Sequence, residues 1–106
     1  MTDDPGRWAD PSFLVLASLA DGPKHGYAIT QDVAAQVGVQ LGPGTLYGAI
    51  SRLEERGLIE ALPPEQRRRP YRITAAGAQE LARAATRMRD VAELGLSRLA
   101  AARSTA

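Results

Sequence analysis

The sequence has no cysteine and a single histidine, His25, among its 106 residues. The absence of cysteine excludes disulfides, thiolate metal ligands and a cysteine nucleophile. A zinc centre needs several converging His or carboxylate ligands, and the sequence offers no such spacing, so we expect neither a metal nor a cofactor. No nucleophile, base and orienting group occur in a recognisable pattern, and we therefore do not expect an enzyme.

Long apolar segments are also lacking. The longest apolar run, "FLVLASLA", is too short to span a bilayer. The first eight residues, "MTDDPGRW", are acidic and have no apolar centre of the kind found in signal peptides. We expect a cytoplasmic protein with no membrane partner. Its net charge of +1 favours no class of partner, so any electrostatic argument depends on where the charges lie.

The remaining sequence predicts three helices before a hairpin. Asp10 and Pro11 are typical of a helix start, and the apolar helix that follows, ending near Gly22, is expected at the centre of the core. A second helix is predicted over residues 25–37, ended by Gly38. A third is predicted over residues 43–56. The apolar stripes of the second and third helices contain Gly26, Ile29, Val33, Val37, Leu46, Ile50 and Leu53.

Two short apolar runs, "LIEAL" and "YRI", flank the polar segment "PPEQRRRP" and predict a hairpin with a long tip. Residues 39–41 are a candidate for a further minor strand. Thr74 is a candidate N-cap for a last helix that reaches about residue 103. The result is a mainly α chain with a small β-hairpin, in the order α-α-α-β-β-α, which is the winged helix-turn-helix plan.

This plan predicts three parts: a flexible N-terminal arm (1–9), a winged helix-turn-helix domain (10–73) and a C-terminal dimerisation helix (74–106). In the plan, the third helix enters the DNA major groove and the hairpin, or wing, contacts phosphates or the minor groove. The candidate DNA-binding residues are Lys24, His25, Gly44, Thr45, Tyr47, Ser51, Arg52, Arg67, Arg68 and Arg69. Arginine clusters on exposed loops suit phosphates.

Each candidate also has a purely structural interpretation. His25 can cap or pack the second helix, Tyr47 can pack against the wing, and the arginines can form a solvated turn. Gly44 and Gly48 weaken the opening turns of the third helix. On the DNA-binding interpretation they remove bulk from a face that DNA approaches, whereas Gly48 could instead be a tolerated weak spot.

The last helix carries a repeat of alternating four- and three-residue spacing, which is typical of pairing with another helix. The predicted dimer interface consists of Leu81, Ala85, Met88, Ala92, Gly95 and Leu99. The alternative is that the helix forms a lid within a monomer.

Four segments resemble the PadR family of bacterial transcriptional regulators: "HGYAI" (25–29), "GTLYGAISRLEERGLI" (44–59), "YRIT" (71–74) and "TAAG" (74–77). The single short C-terminal helix resembles the small PadR subfamily. The resemblance implies a homodimeric repressor that binds a double-stranded DNA operator and is released by a small aromatic or lipophilic effector. The sequence departs from the family at Gly48, where many members have proline.

The position of tryptophan is a second departure. The only tryptophan is Trp8, before the first helix, whereas drug-binding members have one on the last helix. The residues expected to line an effector pocket here are Trp8, Phe13, Met88, Val91 and Leu94. A different class of function also fits the sequence: a winged-helix module whose arginines bind an acidic protein partner without DNA.

Overall fold

The computed structural model describes residues 10–105, so the predicted arm and Trp8 lie outside the described residues. The elements are α1 (Pro11–Leu19), β1 (Lys24–His25), α2 (Gly26–Val37), α3 (Pro43–Glu55), β2 (Ile59–Ala61), β3 (Pro70–Ile73) and α4 (Ala75–Thr105). The three strands form one antiparallel sheet in the order β1-β3-β2. The predicted fold class, mainly α with a small hairpin and a winged helix-turn-helix order, is confirmed.

Helix α1 lies at the centre of the core, as its apolar composition predicts. It packs against α2, α3, α4 and β3, and Val15 and Leu19 are completely buried. The Asp10 side chain caps the helix by accepting the backbone N–H of Ser12 at 3.0 Å. The helix ends earlier than predicted, with Ala20 as its C-cap, so Gly22 lies in the following turn at φ +149°.

Helices α2 and α3 form the helix-turn-helix. Gly38, at φ +71°, ends α2 in the left-handed conformation that glycine adopts without steric cost. Ile29 and Val33 of α2 are buried in the core. Val37 is 57% exposed, so the prediction that it belongs to the apolar core stripe is wrong. On α3, Leu46, Ile50 and Leu53 are buried, and the opposite face of this helix is exposed.

The third strand of the sheet is not the one that the sequence suggests. Residues 39–41 form no strand; Val39 and Leu41 are buried and anchor the loop between α2 and α3 in the core. The additional strand is β1, in which Lys24 pairs with Tyr71 and His25 pairs with Pro70 of β3. This pairing fastens the start of α2 to the wing.

The wing itself ends in a tight turn. Glu65 and Arg68 exchange two backbone hydrogen bonds of 2.7 and 2.8 Å around Gln66 and Arg67. Both central residues have positive φ, 47° and 70°, as a type I′ turn requires. The long polar tip predicted from the sequence is therefore closed by a two-residue turn that places Arg67 at its end.

Helix α4 begins on the body of the domain and then leaves it. The Thr74 hydroxyl accepts the N–H of Gly77 at 3.0 Å and donates to the carbonyl of Gly57 at 2.7 Å, which confirms the predicted cap. Leu81 packs against the core. Residues 85–105 are all exposed. Within the described part of the chain, no helix is long and apolar enough to cross a membrane.

Candidate nucleic-acid interface

The outer face of α3 presents five of the predicted DNA-binding residues to solvent: Gly44, Thr45, Tyr47, Ser51 and Arg52. A Cβ added to Gly44 would meet no atom within 4 Å, and one added to Gly48 would meet only the Arg52 Nη1, at 3.4 Å. The Arg52 guanidinium thus lies back along the helix over Gly48. Because the two glycines have no side chains, the N-terminal half of this face carries little side-chain bulk, and Arg52 extends toward that half.

Tyr47 lies across the start of α2. A Cβ on Gly26 would overlap the Tyr47 phenol, so the close approach of α2 and α3 depends on glycine at this position. Tyr47 remains 49% exposed. The side chain therefore joins the two helices of the helix-turn-helix and still offers a hydroxyl to a partner.

His25 and Lys24 have structural partners of their own. The His25 Nδ1 accepts the N–H of Ala28 at 3.3 Å and caps α2, and the opposite ring nitrogen remains for a second contact. The Lys24 ammonium donates to the Ser18 carbonyl and to the Asp21 carboxylate, and it lowers the pKa of Asp21. A DNA contact from Lys24 would require it to leave these two acceptors.

The three wing arginines are placed differently. Arg67 occupies the tip of the turn, and the Arg69 Nη1 donates to the Leu62 carbonyl at 2.9 Å. The Arg68 Nη1 lies 3.0 Å from the His25 Nε2, which brings the wing against the start of α2. Arg72 follows in β3 and pairs with Glu60 of β2 across the sheet, so its charge is already balanced.

A groove of about 270 Å³ brings the predicted residues of α2, α3 and the wing together. Its lining residues are His25, Gly26, Tyr27, Tyr47, Arg67, Arg68, Arg69 and Tyr71. Burial raises the pKa of Tyr71, aided by the negative charge of Glu54 and by Tyr47, and the neutral phenol can donate a hydrogen bond. The groove therefore has the donor groups that a phosphate requires.

Tyr27 and Tyr71 also line this groove, although the sequence pattern did not predict them. Tyr27 follows His25 and Gly26 in the chain, so its position beside a predicted contact was a usable signal. Tyr71 lines the groove because β1 pairs with β3. This pairing joins distant parts of the chain, so no local sequence pattern predicts it.

Helix α4 provides two further surfaces. Of the predicted dimer interface, Leu81 packs on its own domain, and the exposed part begins at Ala85 and includes Met88 (42%) and Leu99 (52%). An apolar groove of about 600 Å³ lies between α1 and α4. Its lining residues are Asp10, Phe13, Ala84, Arg87, Met88, Val91 and Ala92. Three of the predicted effector residues line this groove, whereas Leu94 is exposed elsewhere on α4.

Comparison with known proteins places these features in a family. The family model described as "Transcriptional regulator PadR-like family" matches residues 15–83. A 37.1 kDa protein in transposon Tn4556 of Streptomyces fradiae is 48% identical over 82 residues, which are 77% of this chain and 24% of that protein. The transcriptional regulator Rv3488 of Mycobacterium tuberculosis is 41% identical over 69 residues, covering 59% of this chain and 61% of that protein.

The fold has close counterparts among solved structures. A transcriptional regulator from Clostridium thermocellum superposes with a TM-score of 0.75 at 26% identity, covering 89% of this chain and 93% of that one. By contrast, the chain spans about a quarter of the transposon protein and about three-fifths of Rv3488. The matched region contains the helix-turn-helix, the wing and the first turns of α4.

Proposed function

This chain belongs to the PadR-like family of transcriptional regulators, and on that premise we propose that it is a homodimeric repressor that binds a pseudo-palindromic operator and responds to a small molecule. Members of the family are DNA-binding regulators and not enzymes. The repressor activity, the dimer, the operator and the effector are the proposed parts.

The observation that carries the proposal is the continuous surface formed by the outer face of α3 and the wing. Arg52 and Ser51 lie on the exposed face of α3, where a helix in the major groove presents its base-reading side chains. Arg67 lies at the end of the wing, where phosphates or a narrow minor groove are within reach. The groove with its hydroxyl and guanidinium donors lies between them.

Dimer formation is supported by α4. Beyond residue 84 this helix is exposed, yet it carries large apolar residues: Met88, Val91, Leu94, Leu96 and Leu99. Several large exposed apolar residues on one helix are typical of an interaction surface. The regular spacing of Met88, Ala92, Gly95 and Leu99 fits a helix-to-helix contact with a second copy.

The proposed ligand response uses the groove between α1 and α4. Phe13, Met88 and Val91 supply apolar walls and Arg87 supplies one cationic group, which suits a small aromatic or lipophilic molecule. Because Met88 also belongs to the proposed dimer interface, a ligand in this groove would change the position of α4 and with it the spacing of the two recognition helices.

The experiment that tests the proposed function is a genome-wide pull-down of bound DNA followed by motif discovery. We expect an inverted repeat whose half-sites lie about one helical turn, roughly 34 Å, apart. Purified protein should then bind that duplex in preference to a scrambled one. Failure to bind any duplex at low salt, together with a stable complex with an acidic protein, would support the protein-interaction module instead.

A further inference from the structure

The contact between the only histidine and the wing brings two hydrogen-bond donors face to face. The His25 Nδ1 accepts the backbone N–H of Ala28, a donor that the helix holds in place. A neutral imidazole with an accepting Nδ1 carries its proton on Nε2. In this tautomer the Nε2–H faces the Arg68 Nη1, which lies 3.0 Å from Nε2, and a guanidinium is only a donor.

Protonation of the ring does not remove the conflict, because an imidazolium has donors at both nitrogens. The opposite neutral tautomer only transfers the conflict to the Ala28 N–H. Glu65 lines the adjoining groove with His25 and Arg68, but it makes no salt bridge with Arg68 in the part of the chain that the structure describes. The two neighbouring donors therefore lack an acceptor between them.

We propose that a backbone phosphate of the bound DNA supplies this acceptor, so that His25 and Arg68 hold one phosphate jointly. One phosphate oxygen can accept from two donor atoms that lie 3.0 Å apart. His25 belongs to β1 and caps α2, and Arg68 closes the turn of the wing. The shared phosphate thus joins the wing to the helix-turn-helix when DNA binds. The inference rests on the proposed DNA-binding function and names the partner of one part of that site.

The joint contact has a thermodynamic signature. In the free protein the facing donors disfavour the native arrangement, and the phosphate relieves this on binding. Removal of either donor also ends the conflict in the free protein, so a single variant no longer gains affinity when the phosphate arrives between the two donors. Because each single variant already loses this gain, the double variant cannot lose it a second time. The reduction in affinity of the double variant should be smaller than the product of the two single reductions.

The variants are His25→Asn and Arg68→Ala, measured singly and together on the operator duplex found by the pull-down. Asparagine keeps an acceptor that caps α2 but is too short to reach Arg68. We expect each single variant to bind the operator several-fold more weakly than the wild type. The fold-loss of affinity in the double variant should be smaller than the product of the two single fold-losses, by a factor of about three or more. Arg67→Ala combined with His25→Asn is the control and should be multiplicative, because Arg67 lines the same groove but makes no hydrogen bond with His25 in the part of the chain that the structure describes.

A second measurement needs no variant. Because His25 is the only histidine, the nitrogen-15 resonances of its imidazole are unambiguous, and we expect a protonated Nε2 in the free protein. These resonances should shift when the operator duplex is added and shift less in Arg68→Ala. Titration with inorganic phosphate in place of the duplex shows whether a free anion is sufficient; saturation at low millimolar phosphate would identify a free-anion site and overturn the assignment to DNA.

Two other results would overturn the inference. One is an unprotonated Nε2 in the free protein, since Arg68 would then simply donate to it. The other is a multiplicative double variant while the wild type binds its operator normally, which would leave the proposed function intact. A wild type that binds no duplex at all would instead contradict the proposed function, and the joint contact with it.

Discussion

At the scale of single residues, Arg52 is the side chain that we propose reads DNA bases. It projects from the exposed face of α3 and extends over Gly48 toward the helix N-terminus. We expect Arg52→Ala to weaken specific binding by about 1–3 kcal/mol while affecting non-specific duplex less. Fluorescence anisotropy on the operator and on a scrambled duplex measures both affinities.

Arg56 provides the matched control for the loss of one positive charge. It follows α3 as its C-cap, at the opposite end from Gly44, and lies 3.9 Å from Glu80 of α4. Arg56→Ala should leave the ratio of specific to non-specific affinity close to that of the wild type. Equal effects of the two substitutions on that ratio would show that Arg52 does not read bases.

Gly48 tests whether the small side-chain bulk on the outer face of α3 serves DNA binding. Alanine is tolerated sterically, since the nearest atom to its Cβ is the Arg52 Nη1 at 3.4 Å. We expect Gly48→Ala to stabilise the fold by about 0.5–1 kcal/mol, because glycine is costly within a helix, and to weaken operator binding. Denaturant unfolding and anisotropy give the two values. Greater stability with unchanged affinity would identify Gly48 as a weak spot without a role in binding.

At the scale of elements, the sequence signals correctly predicted the features that depend on neighbouring residues in the chain. Caps and apolar periodicity correctly predicted four helices, because Asp10, Gly38 and Thr74 act on their immediate neighbours. Strand β1 was missed because two residues carry no periodicity, and their pairing with β3 joins segments that lie far apart in the sequence. The same pairing creates the groove around Tyr71, so this part of the candidate site could not be predicted either.

The wing turn shows a related limit of local pattern. Type I′ turns are usually signalled by Asn-Gly or Asp-Gly, whereas here Gln66 and Arg67 adopt positive φ. Non-glycine residues carry a modest conformational cost in this region. The arginine cluster was visible in the sequence, but the different positions of Arg67, Arg68 and Arg69 follow from the turn.

The wing as an element should contribute mainly non-specific electrostatic affinity. We expect the combined substitution of Arg67, Arg68 and Arg69 by alanine to weaken binding to every duplex. It should also reduce the slope of log affinity against log salt by about 0.9 for each phosphate that the wing no longer neutralises. Titrations at several salt concentrations measure the slope. A triple variant with the wild-type salt dependence would contradict the binding of phosphates by the wing.

Helix α4 depends on one glycine for its attachment to the domain. A Cβ on Gly77 would overlap the backbone oxygen of Leu58, which cannot rotate away as a side chain can. We expect Gly77→Ala to destabilise the fold by about 1–3 kcal/mol, the usual cost of overpacking, in denaturant unfolding. This sign is opposite to that expected for Gly48→Ala, although both replace a helical glycine. A stabilised Gly77→Ala would contradict the tight packing of α4 against the segment that follows α3.

At the scale of the whole molecule, the described part of the protein is 59 Å long because α4 projects from the domain. A 31-residue helix is about 46 Å long, and only its first turns are covered by the core. An isolated helix in water draws little stability from its intrinsic propensity, so packing is needed to hold the exposed part. A second copy of α4 would cover the apolar residues and would also place two recognition helices on one duplex.

The dimer is tested by placing charge on the proposed interface. Met88 and Leu99 belong to the same exposed seam, so Met88→Glu combined with Leu99→Glu should separate the protomers, because two buried carboxylates per chain would lack partners. Sedimentation at micromolar concentration should show a wild-type dimer and a monomeric double variant. Operator affinity should fall about 100-fold or more, since two linked half-sites are replaced by one.

The control is Ser97→Glu, which adds a carboxylate to the same exposed helix on the side away from the seam. This variant should stay dimeric and bind the operator as the wild type does. A wild-type monomer under these conditions would contradict the dimer and favour α4 as a lid within one chain. If the double variant became monomeric but kept its operator affinity, each domain would bind DNA independently, and the two-fold symmetry proposed for the operator would be wrong.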